Sequence, residues 1–171
     1  MCNDALSKGR LMKYFAISDT HFGHENIIQY CNRPFKNVEE MDNVLIKNWN
    51  ETVSNKDVVI HLGDFALCSK KRAREICSQL NGKKILIKGN HDNWPDEFYR
   101  EIGFEYVSKY PILYKDWYLC SHEPLQMFQN VPYKSCYGHV HNDPVYQNTP
   151  NAECYCVERI GYRPKLLFER N

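Results

Sequence analysis

Three short apolar runs in the first half of the chain each end in polar residues able to ligate an ion, and this repeat constrains the fold more than any other feature. Residues 13–17 precede Asp19, residues 58–60 precede Gly63-Asp64, and residues 85–87 precede Gly89-Asn90-His91-Asp92. Continuous apolar runs of this length are typical of strands buried on both faces. In an open α/β sheet, ligands collect at the carboxyl ends of the strands. The pattern therefore predicts a buried sheet with a binding site along one edge.

Helical spacing separates these runs. Apolar residues at three- and four-residue steps predict a helix over 38–52, with Asn37 as its N-cap and Glu40 three residues later. A second such pattern covers 73–80 and stops at Asn81-Gly82. Alternation of strand and helix implies a parallel sheet with right-handed crossovers.

From residue 105 onward, aromatic and β-branched residues alternate in short runs. The runs lie at 106–110, 112–114, 117–120, 135–137, 154–157 and 165–168. This texture predicts a second, more antiparallel sheet. Two mixed sheets face to face with helices outside would form a four-layer αββα sandwich of the α/β class. The length suits one domain, taken as residues 12–171, with residues 1–11 as an N-terminal extension.

The composition of the chain indicates its cellular compartment and the classes of partner that it binds. Charge is nearly balanced, with 22 Lys+Arg against 21 Asp+Glu, which does not indicate nucleic acid as a partner. Of the eight cysteines only Cys154-Tyr155-Cys156 approaches a pair, and its spacing matches neither zinc nor thioredoxin motifs. We interpret them as reduced thiols, which predicts a cytoplasmic protein. The apolar stretches are too short to cross a membrane, so we expect no membrane association.

Side chains that can ligate a metal ion follow the predicted strands throughout the chain. They are Asp19, His21, Asp64, Asn90, His91, His122, His139 and His141, which include five of the seven histidines. In Asp19-x-His21 and His139-x-His141 the two side chains would point the same way in extended backbone. Imidazole, carboxylate and amide groups suit Mn, Fe, Zn or Ni. Because so many ligands exceed the needs of one ion, the sequence predicts two divalent ions.

Five motifs occur in a fixed order between residues 19 and 141. They are Asp19-x-His21, Gly63-Asp64, Gly89-Asn90-His91-Asp92, an isolated His122, and Gly138-His139-x-His141. In this order they resemble the motif set of the calcineurin-like metallophosphoesterases. The stretches SDTHFGHENII and HLGDF further resemble the small bacterial and phage branch of that superfamily.

The resemblance implies a dinuclear centre. Asp19, His21, Asp64 and His141 would hold one ion, and Asp64, Asn90, His122 and His139 the other. It also implies in-line attack on phosphorus by a metal-bridging hydroxide, with His91 assisting the leaving group and Asp92 fixing the His91 ring. The expected cofactors are two divalent ions, Mn first, with Fe, Zn and Ni as alternatives.

Three further residues have two interpretations each. His24 either caps the helix through Ile27-Ile28 or faces the ions and touches substrate. Arg33 is either a cation at a helix C-terminus or a clamp for phosphate. His61 lies inside an apolar run, which favours a core histidine over a ligand.

The function that these residues favour is hydrolysis of phosphodiesters, with phosphomonoesters as an open alternative. The expected substrate is a small phosphoester or a nucleotide. A non-catalytic scaffold of the same fold, binding a partner protein, is one competing hypothesis, but the chain keeps Asn90 and His91. A nuclease is another, and the absence of a basic, aromatic stretch weighs against it.

Overall fold

The computed structural model describes residues 11–127 and 130–167. The predicted extension, residues 1–11, lies outside the described residues except for Leu11. The described strands are β1 (Tyr14–Ile17), β2 (Val58–His61), β3 (Lys83–Ile87), β4 (Phe104–Ser108), β5 (Ile112–Tyr114), β6 (Tyr118–Cys120), β7 (Lys134–Tyr137), β8 (Ala152–Cys154) and β9 (Lys165–Leu166). The described helices are α1 (Asn26–Tyr30), α2 (Val38–Thr52), α3 (Lys70–Cys77) and α4 (Asp96–Glu101).

The first sheet has the strand order β4-β3-β2-β1-β9. Strands β1 to β4 are parallel, and β9 joins β1 antiparallel. Ile17 lies opposite His61, which lies opposite Leu86, so three strands end at the same level. The segments that follow these strands are thereby brought to one edge of the sheet.

The second sheet has the order β5-β6-β7-β8. Only β5 and β6 are antiparallel, whereas β6, β7 and β8 run parallel. The expectation of a more antiparallel sheet was therefore wrong. The links 121–133 and 138–151 have the length that parallel crossovers need, even though they contain no described helix.

Alternate residues of β1 face two different cores. Phe15 and Ile17 pack in the core that contains residues from all four helices, and Ala16 packs in the core between the two sheets. The indole of Trp49 on α2 is 1 % exposed in the helical core. The predicted α/β fold of two mixed sheets with flanking helices is confirmed.

Helix α2 has the predicted bounds and the predicted start. The Asn37 side chain accepts a hydrogen bond from the Glu40 N–H at 2.9 Å, which satisfies one of the first-turn donors. The cysteines of the described chain are free thiols. Within residues 11–127 and 130–167, no helix has the length and apolar character needed to cross a membrane.

Candidate metal centre

The loops after β1 and β2 are joined by backbone hydrogen bonds. The Asp19 N–H donates to Gly63 O at 2.9 Å, and the His21 N–H donates to Asp64 O at 3.0 Å. The first two sequence motifs therefore form one rigid unit. The loops that carry the other motifs close around this unit, and the seven predicted ligands converge in two adjacent groups.

The first group, hereafter the first half, consists of Asp19, His21 and His141 together with Asp64. Nε2 of His21 lies 3.9 Å from Asp19 Oδ1 and 3.4 Å from Asp64 Oδ2. Nε2 of His141 lies 3.6 Å from Asp19 Oδ1. One ligand atom from each of Asp19, His21 and His141 falls within 4.8 Å of the others, as the ligands of one ion would.

Two of these atoms are buried without a hydrogen-bond partner among the described residues. They are Asp19 Oδ1 and His21 Nε2. A buried carboxylate oxygen left unpaired is costly, so such atoms call for an explanation. A divalent cation between them would satisfy both, and a carboxylate–imidazole set is one that Mn, Fe and Zn accept. The residues of the first half therefore fit a metal ion.

The second half consists of Asn90, His122 and His139 together with the same Asp64. His122 Nδ1–H donates to Leu62 O at 2.8 Å, so its Nε2 carries a lone pair. That Nε2 lies 3.0 Å from Asn90 Oδ1 and 3.1 Å from His139 Nδ1. Asn90 Oδ1 and His139 Nδ1 are also 3.0 Å apart. An imidazole whose other nitrogen is fixed by a backbone carbonyl is the arrangement found at metal-ligating histidines.

Asp64 belongs to both halves. Its Oδ2 lies 3.4 Å from His21 Nε2 and 3.6 Å from His122 Nε2, while its Oδ1 accepts from the His91 N–H at 2.9 Å. Burial opposes the charged form, but the contact with His21 and the nearby His122 together hold the pKa of this carboxyl below its usual range. Asp64 is therefore ionised and can serve two cations.

The predicted ligands converge through a backbone conformation that we did not predict from the sequence. We expected extended backbone in the Asp-x-His and His-x-His pairs. Five of the predicted ligands instead have positive φ, in the left-handed region: Asp19, His21, Asp64, His139 and His141. Non-glycine residues rarely adopt this conformation, and it is concentrated at functional sites.

Glycines permit the close approach of the loops. A Cβ on Gly138 would lie 1.9 Å from Ser18 Oγ, and one on Gly89 would lie 2.2 Å from Asp64 Oδ1. Real Cβ atoms do not come so close to other atoms. These positions require glycine because the motifs touch one another there.

Arg33 is internal, which corrects the predicted phosphate clamp. Its guanidinium donates to Asp19 O at 2.7 Å and to Thr20 O at 3.0 Å, and forms an ion pair with Glu158 Oε1 at 2.7 Å. The side chain has no exposed surface. Because its donors are used inside the protein, Arg33 supports the first half and does not face solvent.

Glu158 links this arginine to a ligand. Its Oε1 accepts from His141 Nδ1–H at 3.0 Å, which leaves Nε2 of that ring for the ion. Although burial opposes ionisation, the His141 contact and the Arg33 charge lower the pKa of Glu158 to about 2. The role of Glu158 could not be predicted, because nothing in its local sequence shows that it meets a histidine 17 residues away in the chain.

Asp92 also acts differently from the prediction. Its carboxylate accepts from the backbone N–H groups of Asp64 at 2.7 Å, Phe65 at 3.1 Å and Gly89 at 2.9 Å. It is also 3.3 Å from the Tyr99 hydroxyl. These contacts turn it away from the His91 ring, which it was expected to orient. Asp92 instead ties the loop after β2 to the loop after β3.

His91 and His24 lie beside the first half. The ring of His21 is 5.3 Å from each of theirs between centroids, and these two rings are 6.5 Å apart. Glu25, and not His24, is the N-cap of α1. Burial and the neighbouring His21 and His91 lower the pKa of His24 to about 4, so its imidazole is neutral at physiological pH.

His61 is a core histidine, as predicted. It is fully buried, and its Nε2 lies 2.9 Å from Thr20 Oγ1, whose own hydrogen goes to Phe65 O. Nε2 therefore carries the proton, and Nδ1 accepts from the Gly63 N–H at 3.3 Å. Burial lowers the pKa of His61 to about 3.

Relatives are found in archaea and phage. The chain is 42 % identical over 134 residues to the uncharacterized protein MJ1445 of Methanocaldococcus jannaschii, which covers 72 % of this chain and 76 % of that protein. It is 40 % identical over 78 residues to the Gene 66 protein of Mycobacterium phage L5, which covers 44 % of this chain and 37 % of that protein.

Two solved structures share the fold. A protein of unknown function from Aquifex aeolicus, AQ665, superposes with a TM-score of 0.71 at 27 % identity, covering 91 % of this chain and 96 % of that one. The nuclease MPE of Pseudomonas putida superposes with a TM-score of 0.50 at 20 % identity, covering 75 % of this chain and 61 % of that one. Residues 12–167 match the family described as Calcineurin-like phosphoesterase. The chain belongs to the calcineurin-like phosphoesterase family.

Proposed function

We propose that this protein is a dinuclear metal-dependent phosphodiesterase whose catalytic domain comprises residues 12–171. The observation that carries the proposal is the shared Asp64 carboxylate between two groups of converging ligand atoms. When bound, two divalent ions in such a pair of sites supply a hydroxide near neutral pH and stabilise charge on the phosphoryl group. Mn is the first expectation for the ions, ahead of Fe, Zn and Ni.

Charge favours a phosphate substrate. Among the seven proposed ligands only Asp19 and Asp64 are carboxylates. Two divalent cations therefore leave the site with a net positive charge, which attracts a phosphoester anion. The retention of every ligand weighs against a non-catalytic scaffold that binds a partner protein.

His91 is proposed as the group that protonates the leaving oxygen. Its backbone N–H is fixed by Asp64 Oδ1, and its ring is partly exposed beside His21. A side chain held in this way can deliver a proton to an ester oxygen at the mouth of the site. A positioned acid of this kind contributes about 10²–10⁴ to the rate.

His24 is proposed to contact the substrate next to His91. It is partly exposed, and its ring lies 6.3 Å from that of Tyr30, which is 74 % exposed. These rings form a wall that continues from the first half to the surface. Since Tyr30 is exposed and aromatic, an aryl or base group on the leaving side has a surface to stack on.

A polynucleotide is a second candidate substrate, because its backbone is a phosphodiester and the Pseudomonas putida neighbour is named a nuclease. The balanced charge of the chain favours small diesters instead. The site is proposed to act in the cytoplasm, where its thiols stay reduced.

The test is reconstitution of metal-free protein with Mn, Fe, Zn, Ni or Mg. Each form is assayed on bis(p-nitrophenyl) phosphate, p-nitrophenyl phosphate, 2′,3′-cyclic AMP and single-stranded DNA. We expect Mn to restore hydrolysis, with the aryl diester cleaved faster than the monoester. Full activity of the metal-free protein would refute the proposal, and faster cleavage of the monoester would refute the diester preference.

A further inference from the structure

A cleft of about 450 Å³ opens beside the second half of the metal centre. Asn90 and His122 are part of its lining. Lys88 and Lys109 also line it, together with apolar surface from Pro111 and Leu125. Its volume lies within the range of small-molecule sites, about 300–1,000 Å³.

The cleft and the His24–Tyr30 wall adjoin different halves of the centre. His24 contacts His21 of the first half, whereas the cleft shares Asn90 and His122 with the second half. A phosphodiester has two ester arms. If its phosphorus lies over Asp64, one arm extends toward His91 and the other toward the cleft.

The charge in the cleft comes mainly from Lys109. The Lys88 ammonium donates to Trp94 O at 2.8 Å and to Asp96 Oδ1 at 3.1 Å, so its charge is already balanced. Lys109 is exposed, and its Nζ lies 5.0 Å from the centroid of the Tyr110 ring. Among the described carboxylates it has no ion-pair partner.

Two carboxylates, those of Asp92 and Glu123, also line the cleft. Asp92 is buried and its oxygens accept from backbone N–H groups of the surrounding loops, whereas the Glu123 side chain is exposed. The cleft therefore combines apolar surface with one exposed cation, Lys109, that makes no ion pair with a described carboxylate. That combination suits a sugar or base followed by an anion.

We propose that this cleft binds the ester arm that stays on phosphorus after cleavage, and that this arm carries a second phosphate, which Lys109 pairs. The inference rests on the proposed phosphodiesterase function and specifies its substrate class: a diester with an anionic, nucleotide-like retained arm. In the reaction, water adds hydroxyl to phosphorus, the bond to the leaving oxygen breaks, and that oxygen takes the proton.

The experiment compares two substrates that differ only in the second phosphate. They are thymidine 5′-(p-nitrophenyl phosphate) and the same compound bearing a 3′-phosphate, each hydrolysed by the Mn-loaded full chain. We expect wild-type kcat/KM to be about 2–5-fold higher for the 3′-phosphorylated compound, the effect of one solvent-exposed ion pair. Lys109→Ala removes this preference, and Lys109→Arg keeps it.

Lys56→Ala is the matched control, since Lys56 is an exposed lysine in the turn before β2, at the opposite end of the strand from the site. It should leave the preference unchanged. A preference that persists in Lys109→Ala, or that is absent from the wild type, overturns the inference.

A binding measurement separates this inference from the function on which it rests. Calorimetry compares thymidine 3′,5′-bisphosphate with thymidine 5′-monophosphate on wild type and Lys109→Ala. The inference predicts that the variant loses affinity for the bisphosphate alone. If neither substrate is hydrolysed, the phosphodiesterase proposal fails, while a bisphosphate affinity that depends on Lys109 still supports the cleft. Equal loss for both ligands, or no loss, contradicts the cleft.

Discussion

The two halves of the proposed metal centre differ in how they are held in place. In the first half Asp19 and His21 are almost fully buried, and His141 is fixed by Glu158, which Arg33 fixes in turn. In the second half Asn90 and His139 are exposed. The first half is therefore held by buried contacts of the fold, whereas two of the residues of the second half are open to solvent.

The two halves also differ in their number of carboxylates. The first half has the Asp19 carboxylate as well as the shared Asp64, and the second half has only the shared one. We therefore expect the first half to bind its ion more tightly. Substitutions at the shared carboxylate, beside it and in the contacts behind the first half test this difference.

The largest effect is expected where the halves meet. Asp64→Asn removes the charge that both ions share, so kcat should fall by about 10³-fold or more, which corresponds to a few kcal/mol of transition-state stabilisation. Metal content by atomic spectroscopy should fall below one ion per chain. Asp116→Asn, an exposed aspartate in the β5–β6 turn, is the control. A variant that keeps one tightly bound ion would show that Asp64 serves one half only.

His91→Ala tests whether this ring acts on the substrate without holding either ion. Removing the proposed acid should lower kcat by about 10²-fold. Metal content should stay at two ions per chain, because the ring lies beside the first half and its ligand-holding contact is made by the backbone N–H. Loss of an ion from this variant would move His91 into the ligand set.

Glu158→Gln tests the bracing of the first half. Gln keeps an oxygen that can accept from His141 Nδ1–H but loses the charge that strengthens this bond and pairs with Arg33, and partners of this kind are worth about 10–100-fold in metal affinity. Calorimetric titration of the metal-free variant with Mn should show two binding steps. One step should be weaker than in the wild type, and the other should be unchanged. Equal weakening of both binding steps would show that the two halves do not bind their ions independently.

Glu153→Gln is the matched control at a second buried glutamate, and it should have the smallest effect on the centre. Lys134 and Lys165 pair with Glu153, and the Tyr155 hydroxyl donates to it. Loss of this charge should lower the free energy of unfolding by about 1–3 kcal/mol. Both metal-binding steps should remain as in the wild type, and any change in them would mean that E158Q acts through general destabilisation.

Glu153 also makes the free energy of unfolding depend on pH, in a direction that follows from its pKa. Burial opposes its charged form, but the two lysines lower the pKa of Glu153 below its usual 4.5. Its contribution to stability is therefore complete above about pH 4.5 and is lost as the pH falls through the folded-state pKa. Urea unfolding at several pH values should show the wild type and E153Q converging in acid.

The convergence of the proposed ligands could be predicted from sequence because parallel strands in register end at one edge. Ile17, His61 and Leu86 lie side by side, so the residues after them meet. The roles of Arg33 and Asp92 could not be predicted, since both depend on which loop atoms their side chains reach. The parallel direction of β7 and β8 could not be predicted either, because links in which no helix is described resemble hairpin connections in sequence.

Anomalous scattering from crystals soaked in MnCl₂ would reveal whether two ions share the Asp64 carboxylate. We expect two Mn peaks roughly 3.5–4 Å apart, one on each side of the Asp64 carboxylate. The first-half peak should have the higher occupancy when Mn is limiting. A single peak, or peaks remote from Asp64, would show that the protein does not hold two ions on a shared carboxylate.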